Sequence, residues 1–150
     1  MKREEDMSTR WIAIVVLVTV LVFPALSTAD ENIAQKILGE WVIVPSAWVA
    51  SGTIVFYDNG RYKSNEKRTD GIGVGREGEY ILDLSADPVR IDLCLGECGK
   101  PGSEWTTLFG ILRFHDDGTL EIRTSPDSNY PKKFSKKQDD YTMMLTRGKH

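Results

Sequence analysis

The residues best suited to chemistry are Cys94 and Cys98, the only cysteines in the 150-residue chain. In an oxidising compartment an even number of cysteines favours a disulfide, and Gly96 permits the tight reversal that brings two Cα atoms within the ~7 Å required. A redox-active pair is normally C-x-x-C at a helix start. A zinc site needs further ligands, for which the chain offers only His115 and His150. We predict a Cys94–Cys98 disulfide clamping a β turn, with no metal and no cofactor.

A histidine beside acidic residues is the next candidate. His115 precedes Asp116 and Asp117, and an aspartate that orients an imidazole is an arrangement used in acid–base catalysis. The same segment ends at Gly118 and is typical of a solvated hairpin turn, which is the interpretation we favour. Because no serine lies in a nucleophile-elbow setting and no second useful histidine exists, we expect no catalytic residue and no enzyme.

Residues 73–78, Gly-Val-Gly-Arg-Glu-Gly, match G-x-G-x-x-G. The dinucleotide fingerprint leads from a strand into a helix whose N-terminus holds a pyrophosphate. Here the motif leads into residues 79–84, which alternate like a strand. We therefore predict a flexible glycine-rich connection without nucleotide binding.

A basic cluster surrounds Phe134 and is formed by Lys132, Lys133, Lys136 and Lys137. It could contact an anionic surface, but Asp139 and Asp140 follow directly, and we favour a solvated loop. The whole chain has a net charge of −3 and a pI of about 5.4. A nucleic-acid partner is not expected, because such domains are usually basic.

Trp41 and Arg147 form the most distinctive pair. Trp41 stands at the start of the first predicted strand, and Arg147 ends the last one with the parity of Tyr141, Met143 and Leu145. If that face points inward, the guanidinium of Arg147 reaches the end of the core, where stacking on the indole of Trp41 offsets the free-energy cost of burying its charge. We predict a structural pair that closes the fold.

One short helix and eight strands must position these residues. Residues 30–38 have helical spacing with Asp30 as N-cap and Gly39 as the stop. Hairpin signals at Asn59-Gly60 and at residues 116–118 separate alternating segments. The predicted strands are residues 41–44, 52–57, 61–64, 79–84, 89–95, 106–114, 119–124 and 141–147.

An apolar segment precedes the helix. Residues 11–23 carry no charge and match the length of a signal-peptide core, which is shorter than a membrane span. Small residues follow, and we expect cleavage before Asp30, so that residues 1–29 are a signal peptide and residues 30–150 the mature domain. The first residues carry acidic as well as basic groups, which makes Met7 an alternative start to Met1. An uncleaved membrane anchor is the alternative.

The order of several short segments resembles a lipocalin-like family expanded in planctomycete bacteria. A G-x-W motif at Gly39–Trp41 and the late Arg147 are similar to those of lipocalin-type (calycin) barrels. The remaining similar segments are residues 78–83, 88–93, 109–112, 117–122 and 144–147, with Pro131 and Phe134. Tyr130 stands where that family usually has arginine, and the cysteines lie outside the pattern. The resemblance implies export and a small barrel but supplies no activity.

We therefore predict an all-β protein: an eight-stranded antiparallel lipocalin-like barrel with a short N-terminal helix, exported to the periplasm or outside the cell. One hypothesis is a non-enzymatic domain that binds a small apolar ligand in the barrel, which calls for a cavity of roughly 300 Å3 or more. The alternative is a structural or protein-interaction module of the cell envelope with a filled interior. The expected partners are accordingly a small apolar ligand or an envelope protein, with membrane contact only through an uncleaved signal.

Overall fold

The computed structural model describes residues 28–100, 106–135, 139 and 141–148. One helix and eight strands follow one another along the chain: α1 (Thr28–Lys36), β1 (Gly39–Ile43), β2 (Val49–Phe56), β3 (Arg61–Arg68), β4 (Gly73–Asp83), β5 (Arg90–Leu95), β6 (Thr107–Phe114), β7 (Leu120–Thr124) and β8 (Thr142–Arg147). The predicted apolar export segment, residues 11–23, lies outside the described residues. The helix begins at Thr28, so Asp30 lies inside α1 and is not its N-cap.

The strands form a closed antiparallel barrel in sequence order, and β1 pairs with β8 to complete the ring. Short hairpin turns join β2 to β3 and β6 to β7, as predicted, whereas longer connections join β5 to β6 and β7 to β8. In the first of these turns Gly60 has a φ of 76°, which a residue with a side chain rarely adopts. The predicted all-β class, the eight strands and the short helix are confirmed. Closure removes the exposed sheet edges that an open sheet of this size would carry.

The glycine-rich segment differs from its prediction. Residues 73–78 are not a flexible connection but the first half of β4, where they pair with β3 from Tyr62 to Lys67. Glycine is a poor strand former in isolation, yet the backbone of β3 supplies the ladder that holds this segment. Strands β3 and β4 are consequently longer than predicted: β3 extends from Arg61 to Arg68 and β4 from Gly73 to Asp83.

The inward faces of the strands form one apolar core. Its members alternate along each strand, as Tyr80 and Leu82 do on β4, whereas Ile81 between them is exposed. The buried cluster consists of Ile37, Trp41, Ile43, Ile54, Phe56, Tyr62, Ile91, Leu93, Leu112, Leu120, Ile122 and Leu145. Ile33 on α1 is partly buried against this cluster, and Ile37, directly after the helix, belongs to it, so the chain around the end of α1 covers one end of the barrel.

Candidate functional site

The helix end of the barrel is closed by the two residues predicted to pair. The guanidinium carbon of Arg147 lies 4.0 Å from the centroid of the Trp41 ring. Arg147 donates hydrogen bonds to the carbonyls of Leu38, at 2.6 Å, and Lys36. The indole Nε1 of Trp41 donates to the carbonyl of Ile37 at 2.7 Å. These bonds tie the last strand to the C-terminal end of α1, and partial burial lowers the pKa of Arg147.

The opposite end, here called the mouth, is lined by the β1–β2 connection, the inward side of β3 to β6, and the ends of β7 and β8. It contains a cavity of about 170 Å3. Its apolar wall consists of Ile43, Val49, Leu93, Leu108 and Met143. The cavity is smaller than the roughly 300 Å3 expected of a ligand carrier, because the core fills the rest of the interior. The expectation of a large apolar cavity is therefore not met.

The lining of the cavity includes an ion pair that sequence analysis did not single out. Arg76 on β4 and Glu66 on β3 meet through Nη1 and Oε1 at 2.5 Å. The hydroxyl of Ser64, itself buried, lies 3.5 Å from the same carboxylate oxygen. Tyr62 lies on the same inward face of β3. Burial raises the pKa of Tyr62 most, while Arg76 lowers it and Glu66 raises it by smaller amounts. A charged pair inside an otherwise apolar barrel is the unusual feature of the mouth.

Aromatic and polar side chains form the rim of the mouth. Trp48 and Tyr141 are both exposed and both line the cavity. Asp139 lies beside them, accepts a hydrogen bond from the Thr142 hydroxyl at 2.7 Å and pairs with Arg123 at 3.0 Å. The hydrogen bond from Thr142 is the largest of several effects that lower the pKa of Asp139. Apolar walls with few convergent polar groups are typical of small-molecule sites.

The predicted disulfide is present. Cys94 and Cys98 are bonded with their Cα atoms 5.4 Å apart, and they enclose a turn at the end of β5. The turn folds back onto β4: the amide of Cys98 donates to Glu79 Oε2 at 2.9 Å, and Gly78 pairs with Gly96. The bridge thus fastens this connection to the barrel wall.

His115 is not simply a solvated turn residue. The hairpin turn at residues 116–118 forms as predicted, but the Nε2 atom of His115 lies 2.9 Å from Oε2 of Glu121. Glu121 is buried on the outside of β7 and also accepts a hydrogen bond from Nε of Arg113 at 2.7 Å. This partner could not be predicted from the local pattern around His115, because Glu121 lies on the next strand. Through Glu121 the cluster joins the end of β6 to β7.

The segment from Asn129 to Ser135, here called the outer strap, covers the outside of β5 and β6. Tyr130 donates a hydrogen bond to Asp92 at 2.6 Å, the guanidinium of Arg90 lies over its ring, and Phe109 meets that ring edge-to-face. Burial, and then the bond to Asp92, raises the pKa of Tyr130 to about 12. The strap also includes part of the predicted basic loop, whose remaining lysines, Lys136 and Lys137, lie outside the described residues.

Within that basic cluster the aromatic residue is not solvated. Phe134 lies 4.2 Å from the guanidinium carbon of Arg113, measured from its ring centroid, whereas Lys132 and Lys133 are exposed. The strap is therefore held by an aromatic contact that the charge pattern did not indicate. Two larger depressions border it: one lies beside Arg90 and Tyr130, and the other lies between α1 and Phe134.

The described part of the chain contains no group of three or more His, Cys, Asp or Glu side chains arranged to hold a metal. It also contains no helix with the length and apolar character needed to cross a membrane.

Comparison of the chain with protein-family models, with curated proteins and with solved structures finds no match. The class of protein that the fold defines is a closed eight-stranded antiparallel barrel. Membership of a lipocalin-like family stays a prediction from the sequence.

Proposed function

We propose that this chain is an exported, non-enzymatic binding module that holds a small organic ligand in the mouth of its barrel. The observation that carries the proposal is the Glu66–Arg76 pair in the lining of a mostly apolar cavity. The carboxylate of Glu66 is largely withdrawn from water, whereas Arg76 is partly exposed, and withdrawing such a pair from water seldom stabilises a fold more than apolar residues of the same volume would. Its presence where the barrel opens to solvent is explained by recognition of a polar group.

The size of the cavity limits the ligand. At about 170 Å3 it resembles the engineered cavity of ~150 Å3 that accommodates benzene in another protein. The ligand is therefore a single ring or a short chain, not the bulky apolar molecule that a wide barrel encloses. Export is supported by the apolar N-terminal segment, and the Cys94–Cys98 bridge is consistent with an oxidising compartment.

The proposal is tested by fragment binding observed in backbone amide NMR spectra of the purified protein. We expect single-ring fragments to shift amides of Val49, Leu93 and Met143 and to leave those beside Trp41 unchanged. In Leu108→Trp, a larger side chain at the exposed edge of the cavity blocks binding. The matched control is Leu95→Trp. Leu95 is about as exposed as Leu108 and lies at the same end of the barrel, but it does not line the cavity, so binding should be retained.

An interaction module of the cell envelope is the second candidate, and the filled interior favours it. The closed half of the barrel is packed with side chains such as Phe56, Leu120 and Ile122, so most of the interior has no room for a ligand. The same experiment separates the two functions. If a broad fragment set shifts no amide at the mouth of the folded protein, the binding proposal is wrong and the interaction module is favoured.

A further inference from the structure

The guanidinium of Arg76 is only partly engaged by its partner. Its one hydrogen bond among the described residues runs from Nη1 to Oε1 of Glu66. The fork of a guanidinium carries several further N–H donors in a fixed plane. Nη2 and Nε therefore keep their donors available, and the side chain, which is 35% exposed, lines the cavity.

The two members of the pair differ in accessibility. The side chain of Glu66 is 10% exposed, whereas that of Arg76 is 35% exposed. A ligand that enters through the mouth therefore meets the cation before the anion. Asp139, the other carboxylate in the lining, is already engaged by Arg123 and Thr142. The cavity thus offers an accessible guanidinium, while its carboxylates are occupied.

We infer that the mouth cavity selects a small organic carboxylate, whose carboxylate group docks on Arg76 and whose apolar body lies against Ile43, Leu93 and Met143. This inference rests on the proposed binding function. The two oxygens of a planar carboxylate match the spacing of two N–H donors of one guanidinium. A hydroxyl or an ammonium group cannot form this paired contact. Trp48 and Tyr141 at the rim provide rings against which a cyclic acid can pack.

Glu66 has the role of a positioning residue. It holds Arg76 in the cavity lining through one hydrogen bond, and its negative charge competes with the ligand for the same cation. Glu66→Gln replaces the carboxylate by an uncharged amide of the same shape and ends that competition. The affinity for a carboxylate should therefore rise in this variant, whereas a merely structural role for Glu66 predicts no such gain.

The test uses three probes that share one ring: benzoate, benzyl alcohol and benzylamine, titrated near pH 7 and followed by the mouth amides. We expect benzoate to bind about tenfold more tightly than benzyl alcohol, the difference that one charge-assisted contact supplies. In Arg76→Gln, benzoate should fall to the level of the alcohol, while the alcohol itself is unaffected. Arg61→Gln, which changes an exposed arginine at the opposite end of the barrel, is the control and should retain the preference.

A second variant protects the test against misfolding. Arg76→Gln leaves a poorly exposed carboxylate without its partner, so the double variant Glu66→Gln/Arg76→Gln removes both charges together. It should bind benzoate and benzyl alcohol equally, whereas Glu66→Gln alone should favour benzoate several-fold more than the unmodified protein does.

The outcomes separate this inference from the proposed function. Equal binding of benzoate and benzyl alcohol at the mouth, tightest binding of benzylamine, or a benzoate preference that survives in the double variant would each overturn the carboxylate inference and leave a binding module in place. Absence of any mouth shift with all three probes in the folded protein would overturn both.

Discussion

Arg147 stacks on Trp41 at the one seam where the barrel closes on itself. The two residues are direct partners in the β1–β8 register, with the guanidinium carbon 4.0 Å from the indole centroid. This seam has three registered residue pairs, whereas every other ladder has at least four. Side-chain contacts therefore strengthen the barrel where its backbone pairing is shortest, and they also connect it to α1.

Arg147→Lys tests this role. The lysine ammonium is a point charge that cannot stack as a plane and bond the carbonyls of Lys36 and Leu38 together. We expect the free energy of unfolding to fall by about 1–2 kcal/mol, measured by urea denaturation. The control is Arg61→Lys, which alters an exposed arginine at the same end of the barrel and should change little. Equal losses in the two variants would show that the stacked pair contributes nothing particular.

Gly78 is the glycine of the G-x-G-x-x-G segment that packing requires. A Cβ atom there would lie 1.9 Å from the carbonyl oxygen of Cys94 and 2.6 Å from the amide nitrogen of Gly96. Both are backbone atoms, so Gly78→Ala forces the disulfide turn away from β4. We expect a loss of at least about 3 kcal/mol in unfolding free energy.

Gly75→Ala on the same strand is the matched control for Gly78→Ala. Its Cβ would meet nothing closer than Asn65 Oδ1 at 3.5 Å, which is ordinary contact. Because alanine restricts the unfolded chain more than glycine does, this variant should be unchanged or up to about 1 kcal/mol more stable. Similar losses in both variants would mean that the glycines act through strand propensity and not through the approach of the turn.

Much of this fold could be predicted from local pattern. The alternation of Tyr80, Ile81 and Leu82 marks an inward and an outward face, and the structure has both. The shared parity of Arg147 and Leu145 places the cation at the end of the core, beside Trp41. These predictions succeed because period-two burial is a property of each strand alone.

The candidate site could not be predicted in the same way. Glu66 and Arg76 lie beyond the predicted end of β3 and inside a segment predicted as a loop, and their contact depends on the pairing of those two strands. Tyr62, Ser64 and Glu66 alternate along β3 and face the same side. This alternation predicts an inward-facing Glu66 only if the strand is taken to continue past Ser64. Contacts of the outer strap were equally hidden, since Tyr130 meets Asp92 across 38 positions of sequence.

The Cys94–Cys98 bridge should contribute modestly to stability. It closes a very short loop, for which the chain-entropy estimate gives about 2 kcal/mol. Cys94→Ala/Cys98→Ala should lower the unfolding free energy by about that amount while the far-ultraviolet circular dichroism stays that of the barrel, and reduction of the unmodified protein should do the same. Reductant added to the double variant is the control and should have no effect. Complete unfolding on reduction would show that the barrel depends on the bridge.

Asp139 should make stability depend on acid pH. Hydrogen bonds from Thr142 and from the Tyr141 amide, together with the nearby Arg123, hold its pKa below the ordinary value of about 3.9. A carboxyl whose pKa is lower in the folded state stabilises the protein above its unfolded-state pKa, and this stabilisation is lost as the pH falls through the folded-state pKa.

The variant Asp139→Asn tests this dependence, because asparagine keeps the shape of the side chain and an acceptor for Thr142 but carries no charge. The unmodified protein should have the higher urea midpoint at about pH 6, and the difference should shrink below about pH 4 and approach zero near pH 2. Asp116→Asn, in the exposed turn after β6, is the control and should show no comparable trend. A difference that does not shrink as the pH falls would contradict the prediction, because it would not depend on the ionisation of Asp139.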